Sequence, residues 1–190
     1  MSARSDPRTA RTDRALADAV LRLAAERPVS RISVAELTEA AGVTRPTFYH
    51  RYRSPLGLLL TVLDADLAEV YRREERWRAA EQPDGDQALR RATGELVDHV
   101  ARFVEVYRQT LEDPADRGVY DALVRHFSDY SLAFMARSTN PDLPAADREL
   151  MAQFVAHGFA GAIKAWLADG GLSRDDLVDA VVACAPAWWR

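Results

Sequence analysis

Between Ser33 and Tyr52 the chain reads SVAELTEAAGVTRPTFYHRY, and few local structures suit that order of residues. Ser33 followed three positions later by Glu36 is the spacing of a capping box, in which each side chain serves the other residue's backbone N–H. Val34, Leu37 and Ala41 then share one helical face. Gly42 follows the last periodic residue, where a left-handed helix terminus favours glycine. Thr44 is a second N-cap, and Pro46 lies in the first turn it opens, where a missing N–H costs little. The spacing predicts helices over Val34–Ala41 and Arg45–His50 joined by a tight turn. A helix over about Thr9–Arg27 precedes them, with Leu16, Val20, Leu23 and Ala24 as its inner stripe and Pro28 as its stop. Helix, glycine turn, helix is the geometry that sets a second helix into the major groove of DNA.

The rest of the chain also reads as helix. Ser54 caps a long helix that opens on Pro55 and closes near Arg78, and residues 80–86 form a loop rich in Pro, Gly and Asp. Further helices are expected over Gln87–Leu111, over Ala115–Arg137 with an interruption at Gly118, and over Ala145–Asp169 after a loop at 138–144. Ser173 caps the last, with Asp175 and Asp176 favourably placed in its first turn. No segment alternates with the period of a strand. The expected fold is therefore all-α with about nine helices: a three-helix helix-turn-helix head at 1–53 and a helical body at 54–190. Residues 1–8, which are polar, are expected to lie outside the helices.

Charge is unevenly shared. Residues 1–53 hold ten Arg against six acidic residues, whereas residues 54–190 hold fourteen Arg and the single Lys164 against 23 acidic residues. A basic head on an acidic body suggests a polyanionic partner for the head alone, although arginines scattered over solvated helices give a similar excess. One cysteine, Cys184, permits no intrachain disulfide and no multi-thiol metal site, which fits a reducing cytoplasm. No apolar stretch approaches membrane-spanning length, and the N-terminus has no signal-peptide pattern. The expectation is a cytoplasmic protein with no membrane contact. His99, His126 and His157 lack the spacing of metal ligands, and neither a metal nor a cofactor is implied.

The helix from about Asp13, the segment AAGVTRPTFYHRY and the leucine-rich helix after it resemble the DNA-binding domain of TetR/AcrR-type transcriptional regulators. The resemblance is specific over residues 13–63. It implies a dimeric regulator whose helical C-terminal domain binds a ligand. Arg45, first in the recognition helix, matches the O6/N7 edge of guanine, and in the family this position commonly reads bases. Thr44 commonly binds phosphate there, and Tyr49 occupies the place of the tyrosine that touches the DNA backbone. Pro46, Thr47, His50, Arg51 and Arg53 complete the expected DNA-binding surface. Ser33 either offers amides to a phosphate or serves only as a cap, and Arg8 and Arg11 form either a minor-groove arm or a solvated tail. Two departures stand out. Pro55 replaces a lysine that often touches phosphate, so Arg51 and Arg53 are expected to supply the cation. Tyr52 replaces the usual Phe and brings a hydroxyl that needs a partner.

In the body Phe103, Tyr107, Tyr120, His126, Phe127, Tyr130 and Phe134 are candidate ligand-binding residues, and each fits plain core as well. The last two helices carry more apolar surface than one buried face requires, so Phe154, Gly158, Gly161, Ala162, Trp166, Leu177, Ala180, Val181 and Cys184 are candidates for a dimer interface; completing the subunit's own core is the alternative. Trp188 and Trp189, beyond Pro186, are expected to anchor on the core or on the partner. The expected function is a homodimeric, effector-released repressor on a palindromic double-stranded operator. A regulator-like protein that acts through a protein partner without a small-molecule inducer is the alternative. An enzyme is disfavoured, because no phosphate-binding glycine loop, nucleophile elbow or metalloprotease motif occurs.

Overall fold

A computed structural model describes residues 7–189. Among them are nine α-helices and no strand: α1 Pro7–Glu26, α2 Val34–Ala41, α3 Arg45–Tyr49, α4 Pro55–Glu81, α5 Gly85–Arg102, α6 Val104–Glu112, α7 Arg117–Arg137, α8 Arg148–Asp169 and α9 Arg174–Cys184. Short 3-10 turns lie at Val29–Arg31, Pro114–Asp116 and Ala187–Trp189. The all-α expectation holds.

Four expected boundaries need correction. The helix expected over 87–111 is broken at Phe103, whose backbone leaves the helical region (φ −112°, ψ 29°), so α5 and α6 are separate. No Gly or Pro marks that break, which is why periodicity ran across it. The Ala115–Arg137 helix is not interrupted at Gly118; α7 runs through it from Arg117. The helix expected from Ala145 begins at Arg148, because the Asp147 carboxylate accepts from the Leu150 amide at 2.8 Å and caps it there. Pro7 and Arg8 belong to α1, whereas the expectation that residues 1–6 lie outside the helices falls outside the described residues.

The chain divides into two compact units. The first takes the chain up to Asp64 together with Phe103–Val119, so α6 and the Pro114–Asp116 turn belong with the head. Leu16, Val20, Leu37 and Phe48 are fully buried at its centre. α1 packs on α2 and on α6, and α2 packs on α3. The Ser30 amide donates to Oδ1 of the buried Asp116 at 2.8 Å, and the Ser30 hydroxyl donates to Asp113 at 3.3 Å. Arg31 lies 3.4 Å from the same Asp113 carboxylate.

The second unit takes Ala65–Arg102 and everything from Tyr120 onward. Its main seam is α5 against α9, with α8 also on α9. Gly94 lets Arg174 lie close in that seam: a Cβ there would come within 2.8 Å of a guanidinium nitrogen and shift the side chain. Arg174 donates from Nη2 to Asp98 at 2.8 Å and from Nη1 to Asp175 at 2.9 Å, and its bond to Asp98 holds that carboxyl below the usual carboxylate range. His99 is fully buried, with Nδ1 2.7 Å from Asp66 Oδ2, and burial lowers its pKa against the pull of that carboxylate. Among the described residues no helix is long and apolar enough to cross a membrane.

Candidate functional site

The recognition surface is built by caps. Ser33 Oγ accepts from the Glu36 amide at 3.2 Å, and the Ser33 N–H donates to Glu36 Oε2 at 3.4 Å. Glu36 also pairs with Arg27 of the chain just after α1. Gly42 sits at φ 65°, ψ 32°, which only glycine adopts without strain, and turns the chain out of α2. Thr44 then caps α3: its hydroxyl accepts from the Thr47 amide at 3.4 Å and lies 2.8 Å from the Thr47 hydroxyl.

α3 has one inward anchor. Phe48 is completely buried and meets Tyr52 at 5.9 Å between ring centroids. Tyr49 meets the edge of Phe48 at 5.6 Å but is 59% exposed. Thr44, Arg45, Pro46, His50 and Arg53 are exposed and Thr47 is half-buried. Arg45 and Arg53 pair with no carboxylate among the described residues. Arg51 is committed differently. Its guanidinium pairs with Asp13 of α1, and the Tyr52 hydroxyl lies 3.5 Å from the other oxygen of that carboxylate. Tyr52 thus finds the partner its hydroxyl required, and burial, with Asp13 beside it, raises its pKa.

A cleft of about 470 Å³ runs along this surface, lined by Arg8, Thr9 and Thr12 of α1 and by Pro46, Thr47, His50 and Arg51. Thr12 donates to the Arg8 carbonyl at 3.0 Å, which turns that hydroxyl's lone pairs outward. Thr9 and Thr12 were missed in the sequence. Their one signal is a three-residue spacing on the polar side of α1, which many solvated helices share. Ser33 is occupied as a cap, and its own amide is already bound to Glu36.

The body holds two further features. Phe103 lies at the α5–α6 break and Tyr107 is buried on α6, both in the first unit. Tyr120, His126, Phe127, Tyr130 and Phe134 belong to the second. Tyr71 stacks on Tyr130 at 5.4 Å and donates its hydroxyl to the His126 carbonyl at 3.2 Å. Arg78 donates to the Tyr130 hydroxyl at 2.8 Å and also pairs with the buried Glu74. Burial pushes the Tyr130 phenol up to about 12. Phe127 and Tyr130, with Leu89, Ala92, Thr93, Leu96, Ser131, Phe159 and Trp189, enclose an apolar chamber. Thr93, Ser131, Phe159 and Trp189 were not among the candidate ligand residues, because only tertiary structure unites positions so far apart.

The second feature is an open apolar groove of about 670 Å³ along α8 and α9. Phe154, Gly158, Ala162, Ala180, Val181 and Cys184 all line it. Phe154 is 79% exposed and the neighbouring Leu150 71%. Gly161 is exposed on α8, and Cys184 is an exposed free thiol. Leu177, in contrast, is buried within the subunit, and the Trp166 indole donates to the Leu172 carbonyl at 3.0 Å. Among the described residues no group of three or more His, Cys, Asp or Glu is arranged to hold a metal ion.

Comparisons with known proteins agree with this layout. Residues 16–62 match the model for bacterial regulatory proteins of the tetR family, and residues 88–173 match a model described as a transcriptional regulator C-terminal region. Among solved structures the chain is similar to a tetR-family transcriptional regulator from Streptomyces coelicolor, at 20% identity over 90% of this chain and 78% of that one, TM-score 0.61. The fatty acid degradation regulator FadR from Bacillus halodurans aligns at 16% identity over 95% of each chain, TM-score 0.65. Thermus thermophilus FadR, a repressor solved in complex with lauroyl-CoA, aligns at 18% identity over 90% of this chain and 91% of that one, TM-score 0.66. At such identities the likeness is one of fold. No curated protein matches the chain.

Proposed function

The chain belongs to the TetR family of transcriptional regulators, and from that premise we propose that it is a homodimeric repressor released from a palindromic operator by a small-molecule effector. The observation that carries the reading is α3. Its buried Phe48 fixes the helix while Arg45, Tyr49 and His50 are exposed on its outer side. In the proposed complex Arg45 reads a guanine edge, Tyr49 and Thr44 hold phosphates, and the α1 residues of the adjoining cleft follow the backbone. Arg51, held by Asp13, stiffens the seat of α3, and Arg53 is the free cation nearby.

The α8–α9 groove supports a second copy as the partner. An apolar surface that open is costly to leave in water, and a self-complementary pairing of two α8–α9 faces closes it with two-fold symmetry. Two-fold symmetry in turn requires half-sites about 34–36 Å apart, one helical turn of DNA. The effector acts by binding more tightly to the state whose heads do not match that spacing, so that operator affinity falls as ligand is added. The domains proposed for these roles are 1–53 for DNA and 54–190 for ligand and dimerisation.

The test is selection of bound sequences from random duplex DNA at two salt concentrations. A palindromic motif whose affinity falls steeply with salt is expected, because each neutralised phosphate releases counterions. Lack of enrichment at both concentrations removes the operator-binding role and leaves action through a protein partner.

A further inference from the structure

The aromatic chamber of the body is filled by a residue of the chain itself. Trp189 is only 2% exposed, and its ring lies parallel to Phe134 at 4.8 Å with 4° between the planes. Phe159 meets the same indole at 6.4 Å and stacks on Phe127 at 5.5 Å. What remains empty beside these rings is about 10 Å³, room for roughly one water. Yet two polar groups beside these rings are not satisfied. The Trp189 indole N–H and the Thr93 hydroxyl are buried and have no hydrogen-bond partner. Buried polar groups are normally paired, so the Thr93 hydroxyl is bonding capacity that an occupant other than Trp189 can complete.

The segment that delivers Trp189 is lightly tied. After α9 the chain runs extended through Ala185 and Pro186 into the Ala187–Trp189 turn. Asn140 donates to the Trp188 carbonyl at 3.1 Å, and the Trp189 amide bonds within the turn to Pro186 at 2.9 Å. Stacking, not hydrogen bonding, holds the indole, and another flat ring can make the same contacts. No charged side chain lines the chamber. A charged ligand would lose its hydration there without compensation.

We propose that Trp189 is a built-in occupant of the effector chamber, and that the effector is a neutral, planar aromatic molecule of about indole size which displaces it and bonds to the Thr93 hydroxyl. This rests on reading the chain as an effector-responsive regulator. Displacement has a route to the dimer face within the same unit: Ala185 and Pro186, which lead to Trp189, line the α8–α9 groove, and Phe159 borders both groove and chamber. Moving the plug therefore changes the rim of the surface on which the second copy is seated.

Indole and indole-3-acetate are the probes, titrated calorimetrically into the full chain and into Trp189→Ala, with operator affinity measured in parallel. Wild type should bind indole weakly, and Trp189→Ala about tenfold more tightly, because the plug no longer competes for the chamber. Indole-3-acetate should not bind either protein. Indole should also weaken operator binding by the wild type. Folded Trp189→Ala that binds indole no better than wild type overturns the proposal, as does equal affinity for the two probes. Should Trp189→Ala not fold, the wild type decides: saturable indole binding that weakens in Thr93→Val supports the proposal, and no saturable binding overturns it. An operator bound equally well with and without indole defeats this inference and leaves the regulator reading standing, whereas failure to bind any duplex defeats the regulator reading itself.

Discussion

The head and the body differ in where their unpartnered buried groups lie. In the head, polar side chains are matched at short range: Ser33 with Glu36, Thr44 with Thr47, Arg51 and Tyr52 with Asp13. The result is a seat for α3 whose outward residues are spare. Among the described residues the head leaves one buried side-chain atom unpartnered, Asp116 Oδ2 beside Ser30, whereas the body leaves Thr93 Oγ1, Glu74 Oε2, Arg73 Nε and the Trp189 indole nitrogen. A region that must present one surface to a rigid duplex gains from locally closed bonding. An unpartnered buried group leaves bonding capacity open at some cost in stability, and the effector-responsive role proposed for the body would give that capacity a use.

The strongest test of the contrast is Phe48→Ala. It empties the anchor under α3, and a loss of about 3–5 kcal/mol in denaturant unfolding is expected, with DNA binding lost as well. A loss below about 1 kcal/mol would mean the head is looser than described. Arg45→Ala should leave folding intact and remove about 1–3 kcal/mol of discrimination at one base pair of each half-site. An unchanged motif from sequence selection with this variant would take base reading away from Arg45.

A matched pair of substitutions sharpens the comparison directly. Thr44→Val removes a working N-cap and should lower stability by about 1 kcal/mol. Thr93→Val replaces an unpartnered buried hydroxyl with a methyl of the same shape, and should change stability by less than about 0.5 kcal/mol or raise it. Thermal unfolding of both variants side by side decides; equal losses would erase the distinction between the regions. A pH-dependent effect of comparable size belongs to Asp98→Asn in the α5–α9 seam. Arg174 depresses the Asp98 pKa, so the pair contributes above the unfolded carboxyl value of about 3.9 and loses its contribution as pH falls below it. Both side chains are nearly half exposed, and screening limits the loss at pH 7 to about 1 kcal/mol at most. Wild type and variant should therefore converge in stability as the pH falls below the free carboxyl value and through the depressed one.

The same contrast explains what could be read before the structure. α2, the Gly42 turn and α3 were legible because every signal lies within a few residues of what it controls. The break at Phe103 carried no such signal: the apolar period of α5 continues into α6, and no glycine or proline interrupts it. Nor was the Arg51–Asp13 pair legible, since it joins residues 38 positions apart in sequence. Phe127 and Tyr130 were named as pocket candidates for their type, and they do line the chamber. Thr93, Phe159 and Trp189 belong to three other segments, and nothing local unites them. Trp189 was expected to anchor on core or partner, and it anchors on the core.

The lone thiol deserves a practical reading. Cys184 is exposed at the lip of the α8–α9 groove and is the chain's single cysteine. The chain therefore carries a native labelling position on the surface proposed for self-association. Its rate of alkylation, followed as protein concentration rises, would report how often that surface stands open, with no fluorophore or tag introduced.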